Sequence, residues 1–310
     1  MGNFKRFAIA TTLWTYFLIF IGGLVRVSGA GLGCPDWPKC FGSWIPPLNA
    51  SQLPADIDPN LFNFTLAWIE FINRLIGVID GILIAILAIW ALVKYIKIPR
   101  IVIPSVVVGL LVAFQGWHGS QVVSSELEPV IVSVHMIIAL AIVGLLINIS
   151  QETHYHQYPE SERNSLYSPV IANIFRFLWI IALFQIIKGT NLRESLEIIA
   201  INNPLLQEID VINLVNISKY LHLGYGIIVF LLTLFAFLKL MAKTQKPSPI
   251  MWQCAWTTVG LIIIQISLGI IMMSIGAKPV LQVLHLWVAS LIWGVLLISF
   301  GAVDRYRRLK

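Results

Sequence analysis

Eight apolar runs, each long enough to cross a lipid bilayer as a helix, govern what this chain can fold into. They lie at roughly 7–26, 68–93, 101–123, 130–150, 171–190, 216–238, 250–274 and 281–301. A membrane-crossing helix needs about 20 such residues. The remainder of the 310 residues leaves no room for a large soluble domain. Hydrophobic residues make up 58% and charged residues only 12%, about half the charged share of a soluble globular protein. That excludes a soluble enzyme, a nucleic-acid-binding protein and a disordered chain. The net charge of +6 sits in short segments between apolar runs, where a membrane accounts for it without a nucleic-acid partner. The first run follows Lys5 and Arg6, as a signal peptide would, but it is about 20 residues long and ends in no small-x-small cleavage site, so it reads as a retained span.

Loop charges set the expected orientation. Seven of the 21 lysines and arginines (Arg26, Lys39, Arg74, Lys188, Arg193, Lys219 and Lys278) fall on the side opposite the N-terminus. The other fourteen, among them Lys5, Arg6, Lys94, Lys97, Arg100 and Lys310, fall on the N-terminal side. The positive-inside rule then places both termini in the cytoplasm. Cys34 and Cys40 lie in the first outer loop, facing an oxidising space in which a disulfide can persist, and Cys254 lies near the inner end of the seventh run.

The chain repeats itself. Gln115, Gly119, Pro129, His135, Ala139 and Gly144 recur as Gln265, Gly269, Pro279, His285, Ala289 and Gly294, each at an offset of 150 residues. Phe71, Asn73 and Gly77 align with Tyr220, His222 and Gly226 at an offset of 149, and Gly22 and Arg26 with Gly189 and Arg193 at 167. Internal similarity at fixed offset signals a duplicated unit. The expectation is two tandem four-helix bundles in an all-α membrane protein, related by a pseudo-two-fold axis along the membrane normal. Residues 1–150 form the first, 151–170 a polar cytoplasmic linker, and 171–310 the second, with any cofactor held between facing helices.

The repeat brings histidines to matching depth. His135 and His285 each follow a span-opening proline by six residues, about 9 Å along a helix. His222 lies about two turns into its span, and Asn73 occupies the equivalent place in the first half. A histidine in a membrane is costly and usually functional. A lone one is as readily an interhelical hydrogen bond, but a repeated pair favours haem or metal. Two imidazoles on opposite helices can bracket a flat macrocycle, whereas a structural zinc takes four ligands.

The second half, with His222 and His285, reads as a closed, six-coordinate haem site suited to electron transfer. The first half has His135, Asn73 in place of the second histidine, and the carboxylate Glu70 where the second half has Lys219. It reads as a site for chemistry. Arg26, Arg74, Arg193 and Lys219 at the outer rim either pair with haem propionates or snorkel to the interface. His118, whose repeat partner is Leu268, is the spare outer-side histidine. Either it joins or touches the haem of the first half, or that iron is five-coordinate on His135, or His118 is a hydrogen-bonded core residue. Asp80 has no assigned role.

Gly22–Arg26 (Gly-Gly-Leu-Val-Arg), Gly31–Gly42 with its Cys34-Pro35-Asp36-Trp37-Pro38-Lys39-Cys40 core, Glu70-Phe71-Ile72-Asn73-Arg74 and the spaced histidines together resemble the haem A synthase family over essentially the whole chain. The resemblance implies that a ring methyl of haem O is oxidised, by successive hydroxylations, to the formyl group of haem A for terminal oxidase assembly. It implies haem b on His222 and His285, and substrate haem O near His135 and Glu70, a site to which the reading of the residues themselves adds Asn73, Arg74 and His118. Glu70 is implied as the catalytic carboxylate and Cys34–Cys40 as a disulfide. It further implies a multi-pass place in the plasma membrane among lipid, with haem O synthase, the terminal oxidase assembly, an unidentified electron donor and a second copy of the chain as partners.

Two departures stand out. The family's Glu-x-x-His-Arg motif here carries Asn73, and residues 191–215, expected as the second outer loop, lack the cysteine pair frequent in bacterial members. The competing reading is a non-catalytic dihaem cytochrome passing electrons from quinol. The asymmetry of Glu70, Asn73 and the cysteine loop argues against two closed sites. A transporter built on parallel repeats ranks last, since no span is broken mid-membrane by Gly/Pro interruptions.

Overall fold

The computed structural model describes residues 1–55, 57–158, 169–215, 217–242 and 247–309. Its helices are α1 (Gly2–Val27), α2 (Phe64–Lys94), α3 (Pro99–Ser124), α4 (Pro129–Gln157), α5 (Pro169–Asn202), the short α6 (Glu208–Leu214), α7 (Ile217–Met241), α8 (Pro249–Ile275) and α9 (Pro279–Leu309). All but α6 are long and apolar enough to cross a membrane, and the chain is an all-α, multi-pass membrane protein with eight spanning helices.

Helix starts follow from sequence. Pro99, Pro129, Pro169, Pro249 and Pro279 each open a helix, because the first helical position needs no N–H and proline's φ already suits it. The Asn63 side chain accepts from Leu66 N at 3.1 Å and Ser248 Oγ from Met251 N at 3.2 Å, capping α2 and α8. Within spans, Thr11, Thr12, Thr15, Ser105 and Thr258 donate to carbonyls four residues back, which keeps hydroxyls satisfied where water is absent.

Two boundaries differ from expectation. Helix α5 runs twelve residues past the apolar run, to Asn202. No breaker intervenes before Pro204, which disfavours helix in the residue ahead of it. Most of the expected second outer loop is therefore helical in α5 and α6. The polar segment expected as a linker from 151 begins as helix, since α4 reaches Gln157. Residues 159–168, with Glu160, Glu162 and Arg163, lie outside the described residues.

The chain divides into two compact units, Gly2–Ile149 and Ser150–Lys310. In the first, Phe4, Ala8, Ile84, Leu87, Ala91, Ile101, Val108, Ile142 and Leu146 form a fully buried core at one end of α1–α4. Phe4 sets its ring edge-on to Trp90 at 5.5 Å. The 28–63 loop covers the other end. There Cys34 and Cys40 form a disulfide with Cα atoms 4.7 Å apart, packed with Phe41 and Ala67. Gly31 fits against Leu127 of the α3–α4 turn, where a Cβ would stand 3.0 Å from Leu127 Cδ1. In the second unit α5 packs on α7 and α9, and α8 on α9. Trp179 meets Trp293 at 5.7 Å, and Gln151 Nε2 donates to Ile298 O at 2.9 Å. Cys254 is buried in α8.

Candidate functional site

The buried stripe of α2 runs Glu70, Asp80, Ile84, Leu87, Ala91. Asn73 and Gly77 fall on the same face at helical spacing, yet they are only half-buried. The stripe therefore opens at these two positions, toward the loop end. On α7 the stripe Val229, Thr233, Ala236, Leu240 likewise opens at His222 and Gly226.

Each expected ligand position lies against a glycine of a neighbouring helix. A Cβ on Gly22 would stand 3.9 Å from Asn73 Oδ1, on Gly119 3.6 Å from His135 Cε1, on Gly189 3.1 Å from His222 Cε1, and on Gly269 3.6 Å from His285 Cε1. These four glycines were legible as repeat markers, but not as seats for the rings. Glutamines fix the helix backbone beside two of them: Gln115 Nε2 donates to His135 O at 2.9 Å and Gln185 Nε2 to His222 O at 2.8 Å. Their roles carried no sequence signal beyond the Gln115–Gln265 repeat.

In the second unit His222 and His285 face one another, ring centres 6.3 Å apart and planes at 56°. The Nδ1 atoms of both are buried without a hydrogen-bond partner among the described residues. Unpartnered buried nitrogens call for an explanation. Two imidazole nitrogens each about 2 Å from a shared metal would leave ring centres about 6 Å apart, so the pair fits a haem iron.

The first unit is arranged differently. His118 Nδ1 of α3 lies 3.4 Å from His135 Nδ1 of α4, with ring centres 5.6 Å apart and planes at 25°. His118, whose helical face the sequence left open, thus points at His135, flanked by Phe114 and Trp117. The Asn73 Oδ1 atom is buried and unpartnered among the described residues.

Glu70, 3% exposed, belongs to a clasp. Its Oε2 accepts from Cys34 N at 2.8 Å, and its Oε1 from Arg74 Nε at 3.1 Å. Arg74 Nη2 pairs with the same Oε1. Arg74 Nη1 donates onward to Asp36 O at 2.9 Å and Lys39 O at 2.8 Å, and Asp36 in turn caps Phe41 N and Gly42 N. Gly33 closes the contact, its backbone so near α2 that a Cβ would stand 2.8 Å from Ala67 N. One carboxylate and one guanidinium therefore tie the disulfide loop to α2. Of the other rim cations, Arg193 Nε donates to Gln282 Oε1 at 3.0 Å and Lys219 Nζ to the Ile212 and Asn213 carbonyls at 3.2 Å.

Comparison with known proteins decides the family. The model of the COX15-CtaA family, described as cytochrome oxidase assembly protein, matches residues 5–297. The chain belongs to that family. Its COX15-CtaA relatives include haem A synthases. That of Shouchella clausii is 26% identical over 98% of both chains, and that of Halalkalibacterium halodurans 23% identical over 95% of both. The haem A synthase of Shewanella oneidensis is 34% identical over 146 residues, 44% of this chain and 42% of that one, so there the match spans less than half of the relative's length.

Proposed function

We propose that the chain is a haem A synthase of the plasma membrane, oxidising a ring methyl of haem O to the formyl group of haem A for terminal oxidase assembly. Both termini are cytoplasmic in this reading, and the two units are tandem four-helix bundles with pseudo-two-fold symmetry. The matching openings on α2 and α7 support that symmetry, as do the four glycine seats.

The observation that carries the proposal is the contrast between the two ligand sets. His222 and His285, whose rings face one another, would together hold the iron of a resident haem b. The first unit has Asn73 at the repeat position of His222, and its other imidazole, His118, lies against the Nδ1 side of His135, so substrate haem would be held by His135 alone and keep a reactive position. When bound, the haems supply one-electron transfer in the second unit and the oxidisable methyl in the first. Gly119, Gly189 and Gly269 leave backbone, not side chains, beside the histidine rings, and Gly22 does so beside Asn73. His118 contacts the Nδ1 side of His135 and so orients its ring, as a second-shell partner does for a metal-bound imidazole. Asn73 offers its amide to whatever enters the slot.

Glu70 keeps a negative charge at the mouth, favouring cationic character at the reacting methyl, while holding the disulfide loop closed over it with Arg74. The loop excludes water from the site. Dioxygen is the oxidant of each hydroxylation, the electrons that reduce its second oxygen atom to water come from a donor that docks on the membrane protein, and haem O synthase and the oxidase assembly stand before and after it.

Extracting the haems of the purified protein tests this. Haem O or haem A beside haem b is the expected content. Haem b alone in both units would overturn the reading in favour of a dihaem cytochrome drawing electrons from quinol.

A further inference from the structure

Asp80 is a buried acid that the proposed function does not use. It lies mid-way along α2 and is 2% exposed. Thr15 Oγ1 of α1 is 2.8 Å from Asp80 Oδ1 and 3.0 Å from Thr11 O. A hydroxyl has one proton to donate but two lone pairs, so this arrangement satisfies two states. With Asp80 ionised, Thr15 donates to the carboxylate. With Asp80 protonated, the acid donates to Thr15 Oγ1 and Thr15 donates to the Thr11 carbonyl. A plain interhelical tie needs only one of these states.

The position relative to the site adds to the case. Asp80 shares the face of Glu70, Asn73 and Gly77, seven residues or about 10 Å beyond Asn73. A Cβ on Gly77 would meet nothing within 4 Å, and Asn73 Oδ1 above it is unpartnered among the described residues. Open space beside a buried acceptor, with the Asp80 carboxyl one turn further on, is a place where water finds partners. The aligned residues of the second unit are the buried, apolar Val229 and Ala182. The acid thus belongs only to the unit with the open ligand slot, and an intramembrane carboxylate is costly enough to require a use.

We propose that Asp80 and Thr15 form a proton-storing site for the first unit: Asp80 takes up one proton when the haem held beside His135 gains one electron, and releases it when that electron leaves. The O–H bond forms on the Asp80 carboxylate, the proton arriving from water through the opening at Gly77. The electron comes from a one-electron reductant and rests on iron, so the net charge of the unit is unchanged. The proposal rests on the reading that this unit binds a redox-active haem. Other titratable or charged groups on the surrounding helices are Tyr16, Glu70, Arg74, His118 and His135, with the remainder at the helix ends.

Redox-difference infrared spectroscopy of the haem-loaded full chain, under electrochemical control, tests it. Reduction of the first unit's haem should raise a protonated-carboxyl band that is absent in Asp80→Asn and shifted in Thr15→Val. The midpoint potential of that haem should fall with pH by up to about 59 mV per unit, the one-electron equivalent of a tenfold change in proton activity, and lose most of that slope in Asp80→Asn. A band and slope retained in Asp80→Asn would overturn the assignment. If Asp80→Asn does not assemble, a band unmoved in Thr15→Val does the same. A chain with redox-active haem in the second unit alone would overturn the haem reading of the first unit, and its absorption spectrum reports that separately from any carboxyl band.

Discussion

Gly189 of α5 and His222 of α7 lie so close that a Cβ on the glycine would stand 3.1 Å from the imidazole Cε1. The ring is seated on bare backbone, and any side chain at position 189 must displace it. Gly189→Ala should weaken and Gly189→Leu abolish the low-spin bis-imidazole spectrum of the second unit's haem. Gly260→Ala, where a Cβ meets nothing within 4 Å, should leave that spectrum intact.

The facing pair itself makes a sharper claim. His222→Ala and His285→Ala should each remove the low-spin signal and at least half of the bound haem b, read by absorption and by haem extraction. His156→Ala should change neither. A low-spin spectrum surviving in both single variants would rule the pair out as axial ligands.

The Asn73 slot predicts ligand access. Reduced wild-type protein loaded with haem in the first unit should bind carbon monoxide there. Asn73→His, which restores an imidazole to the slot, should block that binding and turn the haem low-spin. Binding that appears only in His118→Ala would show instead that His118 closes the iron.

Loop docking should depend on one charge. Hydrogen bonds to an ionised group are each worth about 1.5–3 kcal/mol, and Glu70→Gln weakens the bonds to Arg74 and to the Cys34 amide. Hydrogen exchange at residues 33–42 should then accelerate by about tenfold or more, with exchange in the Phe4–Leu146 core unchanged. Loss of haem A formation with unchanged loop exchange would mean that Glu70 acts at the methyl alone.

The eight spans were legible because the apolar runs are long and prolines mark many of their starts. Proline at 99, 129, 169, 249 and 279 carries its own geometry and needs no tertiary context. The end of α5 was not legible: apolar content falls after Thr190 while helix propensity continues to Asn202, and only Pro204 stops it. The ligand positions could be found from the repeat, since depth along a helix is arithmetic. The direction of His118 could not, because α3 is apolar nearly all round and periodicity assigns no face. Glu70's binding to Cys34 N was hidden for another reason. Its partner is a backbone amide 36 residues earlier, and a backbone amide leaves no residue-type signature.

The first unit packs its largest apolar core at one end and carries Glu70, Arg74, Asn73 and the His118–His135 pair toward the other. Phe4, Ile84, Ile101 and Leu146 anchor the four helices by burial at the end away from the loop. Under the proposed function, a bulky, flat molecule would enter and leave at the mouth by release of the Glu70–Arg74 clasp and the loop packing beside it, while the anchored ends stay packed. Traffic and stability are in this way assigned to opposite ends of the same helices. Substitutions that slow turnover by trapping product should cluster around the clasp, and those that lower the melting temperature around Phe4.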